Sequence, residues 1–218
     1  MGRPLPGTPE VKVAAYDIDQ GKVVIGPEGT GRECDADQIG LLLARRAPGT
    51  SALQALRGVF ARGDVWKSTG DLFSRDRDGD LWLVDPAASL IRTEHGWVAP
   101  SRVRDALGNI SCVDLAVAYG VPDGQHEVLI AAVTLLRGKR LASEELEAAM
   151  SGLEPHQRPQ YVQVLADIPL TAWSRPRWRL LQNAGLPRPG SAEALWRLSA
   201  DSNAYELVHA VGVTVAGF

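Results

Sequence analysis

The first third of the chain alternates short apolar runs with turn residues, a pattern typical of short β-strands. Two of these runs, residues 11–13 and 22–25, are bounded by Gly and Pro, and a third, residues 41–43, follows Gly40. Together they predict a small antiparallel β sheet or sub-barrel. Residues 51–58, which end at Gly58, instead predict two turns of helix.

A longer β-type run at residues 65–73 is followed by a second one at residues 81–85. The segment between them, residues 76–80, contains Asp-Gly, which is a strong signal for a β-hairpin turn. Residues 86–89 then read Pro-Ala-Ala-Ser, and we expect a domain boundary or hinge there. The first predicted domain therefore covers residues 1–85.

Helices and strands alternate in the rest of the chain. Helices are predicted at residues 101–107, 143–150 and 177–183, and strands at residues 113–120, 128–136 and 161–165. Ser143 is expected to be the N-cap of the second helix, with two acids in its first turn. The order β-β-α-β-β-α-β-α predicts a compact α+β domain over residues 86–187, and the weakly patterned residues 188–218 are expected to form a C-terminal extension.

Composition adds few constraints. The chain has 218 residues, 45% hydrophobic and 22% charged, which is enough for one large domain or two small ones. Its net charge of −3 gives no overall attraction for nucleic acid or anionic membranes. No apolar stretch approaches the about 18 residues of a transmembrane helix, and the N-terminus lacks the apolar region of a signal peptide. Cys34 and Cys112 form no CxxC motif, so we expect a cytoplasmic protein without a disulfide framework.

The most informative short motif is Ser68-Thr69-Gly70-Asp71. A turn of small residues between two strands can present the Asp71 carboxylate to paired hydroxyls such as those of a ribose, although alone this motif is more often a simple strand-end turn. Six further motifs follow it in order: Asp76-Arg77-Asp78-Gly79, Val84-Asp85-Pro86, Ile91-Arg92, Gly96 with Val98 and Pro100, Gly120-Val121-Pro122-Asp123, and Pro169-Leu170-Thr171 leading to Arg175.

In this order the motifs resemble the later motifs of the adenylate-forming (AMP-binding) enzymes, which include acyl-CoA synthetases, luciferases and adenylation domains. Residues 59–66, Val-Phe-Ala-Arg-Gly-Asp-Val-Trp, and residues 195–198 followed by Tyr205 are similar to the fatty acid transport protein or very-long-chain acyl-CoA synthetase branch. The resemblance covers the end of the family's chain, namely the last β sub-barrel of the large domain, a hinge and a small mobile C-terminal α+β domain. It implies ATP-dependent conversion of a long-chain carboxylate to acyl-adenylate and then acyl-CoA, with ATP and CoA as cofactors.

The resemblance also implies three groups of site residues and no metal ligands. The residues expected at the nucleotide ribose are Thr69, Gly70 and Asp71. The other cofactor-binding residues that it implies are Arg92, Gly96 and Trp97, of which Gly96 and Trp97 are expected near the pantetheine of CoA. The expected catalytic residue, near phosphate, is Arg175.

The sequence departs from the family pattern at positions that carry chemistry. Pro86 stands in place of the hinge arginine, and Ser89 in place of the hinge acid or lysine. In the loop after Arg92 the family's glycine position is His95, so that Gly96 comes one place late and Trp97 follows it. These changes remove a charge at the hinge and place a large ring beside the expected pantetheine path.

The final motif and the phosphate loop differ as well. Arg175 replaces the family's lysine, and a planar guanidinium does not substitute for a compact ammonium group. Trp173 stands where the family has a small residue. The glycine-rich residues 26–31 are not closed by a lysine and predict a hairpin loop rather than a phosphate loop. We therefore expect no synthetase activity from this chain alone.

Two other interpretations stay open. In the first, the chain is a non-enzymatic interaction module that docks on a complete synthetase or on a separate large domain, or that self-associates through the apolar face which such a domain would cover. In the second, the gene has decayed or its true start lies upstream of Met1.

Three further clusters have simple structural explanations. The acidic cluster around Gly79 is expected to be a solvated hairpin turn rather than half of a calcium loop: Asp76, Asp78 and Asp80. The histidines lack metal-ligand spacing: His95, His126, His156 and His209. One basic cluster contains aromatic residues: Trp173, Arg175, Arg177, Trp178 and Arg179. Such a cluster could bind nucleic acid, but arginines that extend from a family-like C-terminal segment explain it better. We therefore expect no nucleic-acid partner.

Overall fold

Mostly antiparallel strands build both of the units into which the chain divides, Met1–Ser89 and Leu90–Phe218. The structure is a computed structural model that describes residues 2–4, 7–46 and 55–211. Helices are few and short, so the chain has the mixed α+β character that the sequence predicted.

Unit 1, residues 1–89, contains a curled antiparallel sheet. Its strands are β1 Val11–Ala14, β2 Tyr16–Asp17, β3 Lys22–Val23, β4 Ile39–Arg45, β5 Ala55–Arg57, β6 Val65–Arg75 and β7 Leu81–Pro86. The main sheet has the order β1-β4-β6-β5 with β7 also paired to β6, and β2 and β3 form a separate ladder. The antiparallel sheet and the hairpin between β6 and β7 were both predicted and are confirmed.

The helix predicted for residues 51–58 is wrong where the structure describes it. Residues 55–57 form β5, and Ala55 and Arg57 pair with Lys67 and Val65 of β6. Gly58, at φ +65°, follows this strand rather than a helix. Pairing with a neighbouring strand overrides the local helical preference of three residues. Residues 51–54 lie outside the described residues.

Strand β6 is central to the main sheet of unit 1 because partners occupy both of its edges. β4 pairs along one edge, and β5 and β7 pair with the two ends of the other edge. The core around it includes Val65, Trp66 and Leu72, and only 1% of the Trp66 surface is exposed.

Unit 2, residues 90–218, contains a five-stranded sheet, a small hairpin and three described helices. Its elements are β8 Ile91–Thr93, β9 Gly96–Val98, α1 Pro100–Gly108, β10 Val113–Asp123, β11 His126–Leu135, α2 Ser143–Met150, β12 Tyr161–Val164, α3 Trp178–Asn183, β13 Ala194–Leu198 and β14 Tyr205–Ala210. The sheet order is β10-β11-β12-β13-β14, and only β11 and β12 run parallel. The hairpin of β8 and β9 is a separate ladder.

Residues 188–218, which the sequence pattern left as an extension, contribute two strands to this sheet. β13 pairs with β12, and β14 pairs with β13 and closes the sheet. Trp196 and Tyr205 are buried in the main core of the unit. The described part of this segment is therefore integral to unit 2.

Helix α2 differs in its N-cap from the expectation. Ala142, not Ser143, is the N-cap, and its N–H donates to the Glu145 carboxylate at 3.2 Å. The Ser143 hydroxyl instead donates to the backbone carbonyl of Tyr205 at 2.8 Å. The serine thus joins α2 to β14, a long-range contact that local pattern does not predict.

The five-stranded sheet has a core on each face, as the period-2 alternation of side chains requires. Ala116 and Ala118 of β10 lie in the core that includes residues of α1 and α2. Val117 and Tyr119 lie in the second core, against which Trp178 and Leu181 of α3 pack. The paired strands β10 and β11 are therefore buried on both faces and lie at the centre of unit 2.

A buried carboxylate explains the Gly-Asp-x-Trp motif of residues 63–66. Asp64 is 8% exposed, and its Oδ2 accepts hydrogen bonds from the Trp66 indole at 2.7 Å and from the N–H groups of Phe60 and Ala61. Its Oδ1 accepts from the N–H of Val59 at 2.7 Å. Burial alone would raise the pKa of this carboxyl, but these hydrogen bonds lower it more, so its pKa lies below the ordinary value.

We predict that Asp64→Asn lowers the free energy of unfolding by about 2–4 kcal/mol. An amide NH₂ group cannot accept the hydrogen bonds that Oδ2 accepts. If it took the place of Oδ2, the N–H groups of Phe60, Ala61 and the Trp66 indole would lose their acceptor. Urea unfolding followed by circular dichroism and tryptophan fluorescence measures the change. Asp78→Asn makes the same change at an exposed turn position and should alter stability by less than about 0.5 kcal/mol.

The effect of Asp64→Asn should depend on pH. A carboxyl whose folded pKa is depressed adds stability above its unfolded pKa of about 3.9, and this stability is lost as the pH falls through the folded pKa. The stability difference between wild type and Asp64→Asn should therefore be full at pH 6 and shrink below about pH 4. A difference that stays constant down to pH 2.5 would contradict the assignment.

Candidate functional site

The Thr-Gly-Asp motif forms an irregularity in the middle of β6. Leu41 and Leu43 of β4 pair with Leu72 and Ser68, so three residues of β6 lie opposite the single residue Leu42. On the other edge, pairing with β5 ends at Lys67 and pairing with β7 begins at Asp71. The motif therefore lies where β6 leaves one partner strand and meets the next.

Local hydrogen bonds hold this bulge. The Thr69 hydroxyl donates to the carbonyl of Leu42 and accepts from the N–H of Asp71, both at 3.1 Å. The Ser68 hydroxyl accepts from the N–H of Gly70. Gly70 adopts φ +82°, which favours glycine. Thr69 and Gly70 thus shape the backbone that presents Asp71.

Asp71 is half-buried, and its carboxylate has no hydrogen-bond partner among the described residues. Its backbone partner across the ladder is Pro86, the last residue of β7. The position at which the family pattern expects a charged arginine is therefore directly across the ladder from Asp71, and here it supplies neither charge nor N–H. After Pro86, residues Ala87–Ser89 form a 3₁₀ turn, in which the Ser89 hydroxyl donates to the Pro86 carbonyl at 2.8 Å.

The β8–β9 hairpin brings together the expected cofactor-binding residues of unit 2. Arg92 and Trp97 are cross-strand partners, and the guanidinium carbon lies 5.8 Å from the centre of the indole ring. Gly96 begins β9 at φ +128°, and its carbonyl accepts from the Thr93 hydroxyl at 2.8 Å. Residues 94–95 form the turn between the strands.

The final motif is a tight, exposed loop before α3. The N–H of Thr171 donates to the carbonyl of Arg175 at 2.8 Å, and the Thr171 hydroxyl accepts from the N–H of Arg175. Arg175 is exposed, and the neighbouring Trp173 is 86% exposed. The Arg175 side chain is thus presented on a surface loop.

A cavity of about 490 Å³ opens beside the turn of the β8–β9 hairpin, wholly within unit 2. Its walls come from this turn, the hairpin between β10 and β11, the 3₁₀ turn Pro155–Gln157, and the turn between β13 and β14. The acidic, basic and histidine side chains that line it are Glu94, His95, Asp123, His126, Glu127, His156, Arg158 and Arg197.

Three of the four histidines meet at this cavity, which the sequence analysis missed. His95, His126 and His156 are each about 30 residues apart and show no recognisable spacing. The Nδ1 atom of His126 is buried and has no hydrogen-bond partner among the described residues. A buried polar atom without a partner is unusual in proteins and calls for an explanation such as a bound water or ligand. No group of three or more His, Cys, Asp or Glu in the described part of the chain has a metal-binding arrangement.

The remaining candidate groups have structural roles. The Asp76 carboxylate accepts from the Trp82 indole and from the N–H groups of Asp78 and Asp80, and these hydrogen bonds lower its pKa. Cys34 and Cys112 are buried, and burial raises the pKa of both thiols.

Comparison with known proteins decides the relationship. No protein-family model matches the chain. It is 30% identical over 166 residues to the marinolic acid–CoA ligase of a Pseudoalteromonas species, covering 72% of this chain and 24% of that protein. It is 26% identical to the long-chain fatty acid transport protein 3 of Mus musculus, covering 87% of this chain and 31% of that protein. The chain is homologous to part of the adenylate-forming enzymes.

Solved structures of adenylate-forming enzymes have the same fold. The ATP-bound MatB of Rhodopseudomonas palustris matches with a TM-score of 0.65 at 19% identity, covering 84% of this chain and 35% of that one. The amide bond synthetase McbA of Marinactinospora thermotolerans matches with a TM-score of 0.63 at 28% identity, covering 84% of this chain and 36% of that one. The expected resemblance to the C-terminal part of the family is thereby confirmed, and the chain spans about a quarter to a third of the length of its relatives.

The site residues that the family resemblance predicted are divided between the two units. Thr69, Gly70 and Asp71 belong to unit 1. Four belong to unit 2: Arg92, Gly96, Trp97 and Arg175. Within unit 2 the structure joins Arg92 to Trp97 and places their hairpin at the cavity. No helix in the described part of the chain is long and apolar enough to span a membrane.

Proposed function

We propose that this chain carries the CoA-binding and ribose-binding elements of an acyl-CoA-forming ligase and depends on the rest of such a ligase for the complete reaction. The observation that carries this proposal is the cavity beside the β8–β9 hairpin, because the resemblance expects pantetheine at this hairpin and the cavity lies next to it. Relatives named as medium/long-chain-fatty-acid–CoA ligases support a long-chain carboxylate as the acyl substrate.

The cavity has the size of a site for the nucleotide end of CoA, and its wall carries two guanidinium groups beside three carboxylates, those of Glu94, Asp123 and Glu127. About 490 Å³ lies within the range of about 300–1,000 Å³ that small-molecule sites occupy. Arg158 and Arg197 supply guanidinium groups suited to phosphate, and three imidazoles supply further nitrogen donors or acceptors. The unpartnered Nδ1 of His126 supports a polar ligand.

We assign different parts of CoA to different residues. Arg158 is half-buried in the cavity wall and would hold a phosphate of the nucleotide. Gly96 and Trp97, in the strand after the cavity turn, would face the pantetheine arm. When bound, CoA would supply the thiol that accepts the acyl group, and these residues would bind and orient it.

Asp71 supports a second subsite, for the ribose of ATP or AMP. Its carboxylate is held by a bulge whose hydroxyls are already engaged with the backbone, and it has no partner of its own among the described residues. A carboxylate of this kind accepts two hydroxyl hydrogen bonds at once. Thr69 and Gly70 position it rather than bind the ligand.

Arg175 and Pro86 support a weak or absent adenylation step in this chain. The family resemblance implies a lysine at position 175, which would bridge the substrate carboxylate and the α-phosphate of ATP. Electrostatic catalysis depends on accurate placement of such a charge. A guanidinium on an exposed loop differs from an ammonium in size and geometry. Pro86 brings no charge to the position across from Asp71.

A docking role for unit 1 is a second candidate. Ile39 and Trp82 flank Ser74 across neighbouring strands, so their side chains share one face of the sheet, and they are 45% and 50% exposed. The occupant that we propose for this apolar face is the remaining part of an acyl-CoA ligase, which the relatives contain in addition to the matched region.

We predict that CoA binds to the purified chain and that Arg158→Gln weakens this binding about tenfold, because a charge-assisted contact to phosphate is lost. Isothermal titration with CoA, dephospho-CoA and AMP measures the affinities. Arg137→Gln removes an exposed arginine outside the cavity and is the matched control. Equal CoA affinity for wild type and Arg158→Gln at equal melting temperature would contradict the assigned phosphate contact.

For the ribose subsite, Asp71→Ala should weaken AMP binding about tenfold and leave CoA binding unchanged. Asp78→Ala, at the exposed turn between β6 and β7, is the control and should leave both affinities unchanged. The same titrations provide the readout. Unaltered AMP affinity in Asp71→Ala would remove this subsite from the proposal.

The chain alone should form no palmitoyl-CoA from palmitate, ATP, Mg²⁺ and CoA. The reason is that its 218 residues contain no glycine-rich loop closed by lysine and that residue 175 is arginine. Chromatographic detection of the thioester is the measurement, with the related full-length FadD6 as positive control. Mixing the chain with FadD6 that lacks its matched part should give a complex on size-exclusion chromatography if unit 1 docks as proposed. Product from the chain alone would contradict the proposal.

A further inference from the structure

Glu127, at the start of β11, contacts three separate elements of unit 2. Its Oε2 accepts a hydrogen bond from the N–H of Arg92 in β8 at 2.9 Å. Its Oε1 lies 3.5 Å from Nε2 of Gln182 in α3, and the same nitrogen donates to the carbonyl of Gly120 in β10 at 2.6 Å. One carboxylate therefore lies where β8, β10 and α3 meet.

Gly120 provides the space for this carboxylate. A Cβ atom added at Gly120 would lie 2.7 Å from Cδ and Oε1 of Glu127 and 2.8 Å from Cγ2 of Ile91. These distances are too short for a real Cβ atom, so any larger residue must displace the side chain of Glu127 or of Ile91. The glycine is required by close approach, since its own backbone shows no positive φ.

The β8–β9 hairpin needs such an anchor because its strands form no ladder with the five-stranded sheet. Ile91 and Val98 bury their side chains in the core of unit 2, which fixes one side of the hairpin. Apolar contacts are non-directional, whereas the hydrogen bond from Arg92 to Glu127 fixes the backbone next to the cavity turn at residues 93–95.

We propose that Glu127 is a positioning residue that fixes the β8–β9 hairpin, and with it the cavity turn, against β10 and α3. The predicted effect on CoA rests on the proposed function, but the effect on the hairpin does not. Because Glu127 also lines the cavity, two roles must be separated. A purely electrostatic role repels an anionic ligand, so its removal would tighten CoA binding. A positioning role predicts weaker binding.

Three substitutions separate these roles. Glu127→Ala removes both the charge and the acceptor. Glu127→Gln removes the charge but keeps an oxygen for the N–H of Arg92. Gly120→Ala keeps the charge but displaces the carboxylate. The controls are Glu144→Ala, at an exposed glutamate outside the cavity, and Gly108→Ala, where an added Cβ meets no atom within 4 Å.

The first readout is independent of CoA. Amide hydrogen exchange by NMR should be about tenfold or more faster at the Arg92 N–H in Glu127→Ala and Gly120→Ala, and close to wild type in Glu127→Gln. The fluorine resonance of Trp97, labelled with 5-fluorotryptophan and assigned with Trp97→Phe, should shift in the same two variants. Unchanged exchange and resonance in a folded Glu127→Ala would overturn the proposal.

The second readout is CoA affinity by calorimetry. Glu127→Ala and Gly120→Ala should bind CoA about 3- to 30-fold more weakly, whereas Glu127→Gln should bind it at least as tightly as wild type. Tighter binding by both Glu127→Ala and Glu127→Gln would mean a charge effect alone and would overturn positioning. If wild type binds no CoA but Glu127→Ala still speeds exchange of the Arg92 N–H, the positioning role of Glu127 stands and the proposed function fails.

The double variant Glu127→Ala with Gly120→Ala provides an internal test. If Gly120→Ala acts by displacing Glu127, its effect on Arg92 exchange should largely disappear once the carboxylate is gone, because only the contact with Ile91 then remains. Additive effects of the two substitutions would show that they act independently and would overturn the mechanism.

Discussion

The long antiparallel pairing of β10 with β11 is the constraint on which unit 2 depends. It runs from Val113 opposite Leu135 to Asp123 opposite His126, and its central residues are buried on both faces. Small residues such as Ala116 and Ala132 let helices pack closely on either side. A sheet buried on both faces has a strongly specified register, because a one-residue slip would exchange the two cores. The cavity walls that extend from this hairpin are therefore attached to strands that are buried on both faces.

Both candidate sites lie where regular pairing stops. In unit 1 the β6 ladder changes its register at residues 69–71, and the backbone there is satisfied by hydroxyl groups rather than by a partner strand. In unit 2 the cavity is lined by the turns at the ends of three hairpins. A regular ladder uses all its backbone groups and turns its side chains to fixed faces. Irregular segments leave polar groups available for a ligand, and the adjacent ladders restrict their motion.

The sequence predicted the strands and helices that have a clear period, and it predicted the order of motifs that carries the family relationship. It did not predict β5, β13 and β14 as strands of their sheets. β13 depends on β12, about 30 residues earlier in the chain, and β14 in turn pairs with β13, while β5 is a three-residue strand with too short a pattern to recognise. It also separated His95, His126 and His156 into unrelated loop residues. Turns from different hairpins converge only in three dimensions, so spacing along the chain carries no signal for them.

The same limit applies to single residues. In sequence, Gly120 is recognisable as the first residue of the Gly-Val-Pro-Asp motif and Glu127 as an acid after a turn. Their contact becomes meaningful because β10 and β11 pair in a register that places Glu127 opposite Pro122, and its side chain reaches diagonally to Gly120. Likewise, Asp64 is visible in the sequence only as part of a motif. Only the fold shows that its carboxylate accepts hydrogen bonds from three backbone N–H groups and an indole.

The positions that depart from the family pattern differ in kind from those that fit it. Pro86 is the exposed last residue of β7, and Arg175 lies on an exposed loop, so neither contributes to a core. Substitution at such positions costs little folding free energy. Asp64 and Gly120, by contrast, are enclosed by atoms that tolerate no other residue without rearrangement. The fold therefore places little constraint on residues 86 and 175, whereas the packing and hydrogen bonds around Asp64 and Gly120 constrain both positions strongly.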